Sequence, residues 1–180
     1  MDLLKRDLPY TVALAIALLG SLGSVWLSVG MGLKACPLCF YQRSAAFLAL
    51  GVLVLGLVSE SLLTRGTAAW LALPACVLGL LVAGWHVYLE SSGALECPKG
   101  MLGLGTAPIQ SLVVFLLLTS SVGLSALRAT EVGTPRLAMA AVLGLLFGFA
   151  SVKSSPPMPA APKQPYPDPL LTCRPPFPGA

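Results

Sequence analysis

The chain has 180 residues, 56% of them hydrophobic and only 10% charged, with a mean hydropathy of +0.85. Soluble domains run at about 45–50% apolar and about 25% charged, so these values exclude water as the main solvent and point to a membrane. The formal net charge of +4 comes from eleven scattered Lys and Arg residues, which excludes the basic face needed to hold a nucleic-acid backbone.

Lys5 and Arg6 precede a long apolar run and resemble the start of a signal peptide. The run from Tyr10 to Leu33 is longer than a cleavable core of about 7–15 residues and has no Ala-x-Ala exit, so it reads as a retained first span. A helix crosses the hydrocarbon with about 20 apolar residues. Phe40 to Thr64, Thr67 to Leu89 and Ala107 to Leu127 meet that requirement, and Pro74 should bend the third span. Leu137 to Val152 is shorter, at 16 residues between Arg136 and Lys153, and spans if those two stems snorkel. Its Gly144 and Gly148 either allow close helix approach or reflect the ordinary frequency of glycine in membrane helices. Trp26, Tyr41, Trp85 and Tyr88 lie toward one set of span ends, where amphipathic rings favour the headgroup layer.

With the N-terminus inside, Lys5, Arg6, Arg65, Arg128 and Arg136 are cytoplasmic and Lys34, Arg43 and Lys99 are outside. Five crossings add Lys153, Lys163 and Arg174 to the outside, so charge alone gives a modest bias. From Ser154 to Ala180 the composition changes: ten of the sixteen prolines fall in this tail. Such a segment cannot continue a helix and is expected to be an extended, disordered arm carrying Cys173. The expected architecture is an all-α membrane protein: a four-helix transmembrane bundle with a fifth transmembrane helix within residues 1–153, and a disordered Pro-rich tail over 154–180.

Cys36-Pro37-Leu38-Cys39 stands where the first loop meets the second span. Two intervening residues bring the sulfurs within reach of each other, and a helix N-terminus favours the thiolate, which is the nucleophile. Cys39 is the better-placed thiolate on this reading, with Arg43 four residues later on the same helical face. A fixed positive charge near the membrane is costly unless something anionic needs it. Zinc would require two further ligands, Cys97 and Cys173, one on a proline-rich arm ill suited to a rigid tetrahedron, so no metal is expected. Covalent haem requires His after the second cysteine, and Phe40 follows instead. A structural disulfide would close too small a loop to stabilise much.

The run Cys36-Pro37-Leu38-Cys39-Phe40-Tyr41-Gln42-Arg43, between the first two spans, resembles the Cys-x-Leu-Cys-x-x-Gln-Arg signature of the DsbB/BdbC family of membrane disulfide oxidases. The resemblance covers about Leu8 to Leu127 and is weaker around Gly84 to Glu90. It implies a bundle in the bacterial cytoplasmic membrane with its active cysteines on the extracytoplasmic side. Such a protein reoxidises a soluble thioredoxin-like, DsbA-like thiol oxidase and passes the electrons to ubiquinone or menaquinone in the membrane quinone pool. Carried over, Cys36 and Cys39 form the quinone-proximal pair, with Cys39 the thiolate that meets the quinone. Arg43 matches the arginine that helps hold it, while Gln42 has no separate role.

The family's second pair normally lies wholly in the loop between the third and fourth spans, where this sequence has only Cys97. Three crossings put Cys97 outside and five put Cys173 there too, so a Cys97–Cys173 disulfide is expected. By the resemblance, Cys97 forms the mixed disulfide with the partner. Cys76 reads as an apolar packing residue. His86 and Glu90, four apart at the end of the third span, are either proton-relay and cofactor-binding groups or residues in wet headgroups without chemical roles. Two other functions compete. One is a membrane scaffold or transporter subunit with structural cysteines, which leaves Arg43 beside Cys39 unexplained. The other is a vitamin-K-epoxide-reductase-like enzyme, whose Cys-x-x-Cys belongs near a late helix rather than after the first.

Overall fold

Among the described residues, Pro37 and Thr64 mark the starts of two of five long helices. The computed structural model describes residues 2–59, 61, 63–129, 134–156, 160, 162, 166 and 169–177, with the side chains of 2–7 excepted. Lys163 and the side chains of Lys5 and Arg6, used in the charge balance, lie outside that set. The helices are α1 (Asp2–Val29), α2 (Pro37–Val58), α3 (Arg65–Ser91), α4 (Ala107–Arg128) and α5 (Thr134–Ser154). All five are long and apolar enough to cross a membrane.

Helix starts differ from the hydropathy reading where capping chemistry intervenes. Proline at the first helical position sacrifices a donor that would have no partner anyway, so α2 begins at Pro37 with Cys36 as its cap, rather than at Phe40. The Thr64 hydroxyl accepts from the Thr67 amide at 3.3 Å and starts α3 at Arg65. With 21 residues, α5 reaches about 30 Å at 1.5 Å per residue, long enough to cross, and because Arg136 and Lys153 fall inside it their stems still have to snorkel. α3 runs through Pro74 as one continuous helix.

The small residues decide the packing. Half of the most apolar stretch of α3 is buried, against 17% in α1 and α5, which makes α3 the central helix, touching α2, α4 and α5. Its Ala68, Ala69, Ala72, Ala75 and Ala83 are buried with Ala45, Ala46 and Ala49 of α2, letting backbones approach closely without a solvent-driven hydrophobic term. Phe115 of α4 lies over Gly79, where a Cβ would stand 2.0 Å from the ring. Gly144 and Gly148 face α3, and a Cβ on Gly144 would stand 2.6 Å from that of Val77, so this pair does serve close approach. Leu22, Leu48, Leu55, Leu116, Leu146 and Phe149 point outward, as lipid contact requires. Cys76 is fully buried in the apolar core.

The ends of α1, α3 and α5 come together at one end of the bundle, with the start of α2. There the tail departs from the expected disordered arm. Residues 169–177 form a strap in which the Lys34 amide donates to the Leu171 carbonyl at 2.8 Å, and Glu96 and Arg174 exchange backbone hydrogen bonds of 2.9 and 3.1 Å. Arg174 also pairs with the Glu96 carboxylate at 2.7 Å and lies 3.8 Å over the Tyr166 ring. Among the described residues the tail has no helix beyond Ser154, as its proline content predicts; over 169–177 disorder does not follow, because these partners come from loops distant in sequence.

Candidate active site

The chemistry is built on the first turn of α2. Cys36, at the N-cap with φ −72° and ψ 165°, turns its sulfur back over the helix start. Its Sγ accepts from the Cys39 amide at 3.3 Å and lies 2.9 Å from the Cys39 Sγ, where the two thiols share a hydrogen bond, and both cysteines are free. The hydrogen bond from the Cys39 thiol holds the Cys36 thiol well below the usual thiol range, against the opposing effect of burial, and contact with His86 adds to the lowering. The capping geometry therefore makes Cys36 the anionic member of the dithiol, whereas helix position alone favours Cys39.

His86, fully buried on α3, joins this pair to the other cysteines. Its Nε2 lies 3.8 Å from Cys36 Sγ, 3.5 Å from Cys97 Sγ and 3.3 Å from Cys173 Sγ. Cys97 and Cys173 are joined in a disulfide across 76 positions of sequence. The reactive atoms of Cys36, Cys39, His86 and Cys173 all lie within 4.8 Å of one another, a group to which Cys97 does not belong. The same atoms could hold a metal ion only if Cys173 left its disulfide, since a bonded sulfur is no thiolate ligand. Cys173 thus faces the Cys36–Cys39 pair, and Cys97 is the farther sulfur of its disulfide.

Behind His86 stands a polar chain that sequence reasoning missed. Gln42 is buried, and its Nε2 donates to His86 Nδ1 at 3.3 Å while the Ser111 hydroxyl donates to Gln42 Oε1 at 2.6 Å. That orientation leaves the imidazole proton on Nε2, aimed at the sulfurs. The signal available in the sequence was an amide in the motif and a serine in the fourth span, both polar at membrane depth.

Next to this cluster, and sharing Cys39, Gln42 and Cys173 with it, is a cavity of about 340 Å³ between α1, α2 and α4. Ile16, Leu19, Val114, Phe115 and Leu117 line its apolar part; Cys39, Gln42, Arg43 and Cys173 line its polar end. Arg43 is braced against α1: its Nε donates to Ser24 Oγ at 2.9 Å, and its Nη2 to the Ser24 carbonyl at 2.8 Å and Ser28 Oγ at 2.7 Å. Ser24 and Ser28 are four apart, one turn on one face, a spacing the sequence offered without a reason to single it out. His86 is at the sulfurs rather than on the cavity wall. Glu90 is brought to neither: its carboxylate accepts from the Thr106 hydroxyl at 2.8 Å and ties the end of α3 to the cap of α4.

The profile of the family described as Disulfide bond formation protein DsbB matches residues 5–150. The chain belongs to the DsbB family. Among its relatives, the Disulfide bond formation protein B of Xylella fastidiosa is 30% identical over 146 residues, covering 74% of this chain and 84% of that protein. The protein of the same name from Herminiimonas arsenicoxydans is 34% identical over 115 residues, 63% of this chain and 72% of its own length. That of Chromohalobacter salexigens is 44% identical over 75 residues, 41% of this chain and 44% of that protein. No solved structure matches the chain. As a DsbB-family protein with five membrane-capable helices, it is a multi-pass membrane protein of disulfide bond formation, and its family carries disulfide oxidoreductase activity.

Proposed function

We propose that this DsbB-family protein is a quinone-dependent thiol oxidase of the bacterial cytoplasmic membrane, with its cysteines on the extracytoplasmic side, reoxidising a soluble thioredoxin-like partner. One observation carries the reading: three sulfurs from the two cysteine pairs, those of Cys36, Cys97 and Cys173, lie 3.3–3.8 Å from His86 Nε2, and the fourth cysteine, Cys39, opens into an apolar cavity with a cationic wall.

In the cycle that starts with both pairs oxidised, the partner's thiolate attacks Cys97, forming a mixed disulfide and releasing Cys173 as a thiolate. The Nε2–H of His86, 3.3 Å away, stabilises that leaving sulfur. Cys173 then attacks Cys36, breaking the Cys36–Cys39 bond and releasing Cys39 as a thiolate at the cavity wall. Its place in the first turn of α2 stabilises the charge. The partner's second thiol resolves the mixed disulfide at Cys97, leaving the partner oxidised, and Cys97 then reforms its bond to Cys173 and frees Cys36.

The cavity suits a quinone by volume and by its chemistry. It lies at the lower end of the range of about 300–1,000 Å³ for small-molecule sites, with apolar walls for a ring and tail and Arg43 for a carbonyl oxygen. A ubiquinone or menaquinone held there would supply the two-electron oxidant that closes Cys36 and Cys39 into a disulfide again, taking their electrons and two protons as quinol. Purified protein given a reduced thioredoxin-like substrate and a short-chain quinone should reduce the quinone, followed by absorbance, and Cys39→Ser should abolish this without unfolding the bundle. Absence of turnover by the unmodified protein would return the scaffold reading to first place.

A further inference from the structure

We propose that Glu96 and Arg174 form a clamp that keeps Cys173 docked beside Cys36 after the Cys97–Cys173 bond has opened, making them positioning residues for exchange between the two cysteine pairs. The inference rests on the thiol-oxidase reading above.

The geometry makes the strap's docking separable from its disulfide. Glu96 directly precedes Cys97 and Arg174 directly follows Cys173, so the clamp sits one residue from each sulfur. Two backbone hydrogen bonds and a 2.7 Å ion pair join them, and the Leu171 carbonyl accepts from the Lys34 amide at 2.8 Å. Tyr166 lies under the Arg174 guanidinium and donates its hydroxyl proton to the Pro175 carbonyl at 2.9 Å. None of these contacts uses the sulfurs. Arg174 is only 19% exposed and Glu96 36%, so the pair is partly shielded from the screening that weakens surface ion pairs.

Such a device is needed here because 18 residues separate Cys173 from the end of α5 at Ser154. Once Cys97 is bonded to a partner, nothing covalent near Cys173 holds it at Cys36. A sulfur on a flexible tether acts at an effective concentration of the order of mM, far below that of groups held in reacting geometry. With the clamp closed, Cys173 stays within 4.8 Å of both members of the Cys36–Cys39 pair. The step served is a balanced exchange: the Cys173 thiolate bonds to Cys36 Sγ, the Cys36–Cys39 bond breaks, and Cys39 leaves with the electron pair.

The test follows the intramolecular step alone. With a thioredoxin-like substrate whose second active-site cysteine is replaced by serine, the mixed disulfide at Cys97 is formed in single turnover and acid-quenched at intervals, and the decay of the Cys36–Cys39 disulfide is timed by alkylation of the freed Cys39 thiol. Glu96→Ala and Arg174→Ala should each slow that decay by about tenfold or more. The charge-reversed double variant, Glu96→Arg with Arg174→Glu, should recover most of the rate; a merely structural contribution to the loop gives no such rescue. Reading the decay rather than the amount of mixed disulfide separates the clamp from any easier approach to Cys97, which is only 7% exposed. As a second measurement, in Cys97→Ser the amides of Glu96 and Arg174 should remain protected from hydrogen exchange, and adding Glu96→Ala should remove that protection. Unchanged decay in both single variants, a slowed decay without rescue, or loss of protection in Cys97→Ser overturns the clamp. If the unmodified protein shows no thiol-dependent quinone reduction, it is the function that fails instead.

Discussion

Replacing Arg43 with alanine should raise the quinone KM by about 10- to 100-fold while leaving kcat within a few-fold. The guanidinium makes three hydrogen bonds to α1 through Nε and Nη2, and Nη1 takes part in none of them. A hydrogen bond from a charged donor contributes about 1.5–3 kcal/mol. At about 1.4 kcal/mol per decade, losing one such contact to a quinone carbonyl weakens binding by one to two decades. Because the contact exists in the ground state, the loss falls on KM before kcat. The substitution also removes the brace between α1 and α2, and that cost is limited because the Ser28 hydroxyl can turn back to the Ser24 carbonyl one turn earlier. Ser28→Ala is the control: it takes away one brace bond at 2.7 Å but keeps the charge, so it should lower thermal stability with only a small change in KM. Steady-state kinetics with varied short-chain quinone, beside thermal unfolding in detergent, separates the two roles. An Arg43→Ala protein with normal KM and reduced stability would make Arg43 a strut between helices and remove it from the cofactor site.

Cys39→Ala removes the thiol that donates to Cys36, so the pH at which Cys36 becomes half-alkylated by a small thiol reagent should move upward toward the usual thiol range. The sign follows from the depressed value in the dithiol: Cys36 stays anionic down to acid pH there, and Cys39→Ala should lose reactivity already as pH falls below the ordinary thiol range; identical profiles would remove the Cys39 hydrogen bond as the cause. Gln42→Leu leaves His86 Nδ1 buried without its donor, at a cost of about 1–3 kcal/mol in stability, and should slow exchange between the cysteine pairs more than Ser111→Ala, which leaves Gln42 in place. Stopped-flow thiol exchange on both variants checks the order. Gly144→Leu overpacks the contact of α5 with Val77 and the Pro74 carbonyl and should destabilise the bundle by about 1–3 kcal/mol in denaturant titration, whereas Leu146→Ala on the lipid-facing side should cost much less.

The helices were legible because membrane burial imposes a strong, simple requirement: each span must be long, apolar and internally hydrogen-bonded. The start of α2 was not, since hydropathy registers Phe40 while the backbone registers Pro37 and the Cys36 cap. The apparent shortness of the fifth span had the same origin: Thr134, Pro135 and Arg136 carry little hydropathy yet continue a helix. Orientation of side chains around each helix was less accessible still. Spans apolar on every side carry little periodic signal, so nothing in the sequence alone marked α3 as central or turned Gly144 and Gly148 toward it.

At the site, the split between legible and hidden residues follows sequence distance. Cys36, Cys39 and Arg43 act through spacings of three and four on one helix, where local geometry is fixed by the chain itself. Gln42, Ser111, Ser24 and Ser28 gain meaning only from helices that pack far apart in sequence. Cys173 is the intermediate case. Its presence at the same end of the bundle as Cys97 could be counted from crossings, but its exact place could not, because that depends on Glu96 meeting Arg174 across 78 positions. Proline supplied a misleading guide there: it removes donors and forbids helix, yet an extended strand needs few donors if its neighbours supply carbonyls and amides at the right points. The strap meets that condition at Lys34, Glu96 and Arg174. A proline-rich segment pre-extended in the unbound state loses less conformational entropy on docking than a flexible one. The composition that argued for a free arm is, by the same physics, suited to a strap that can be held in place by a few bonds while its disulfide opens and closes.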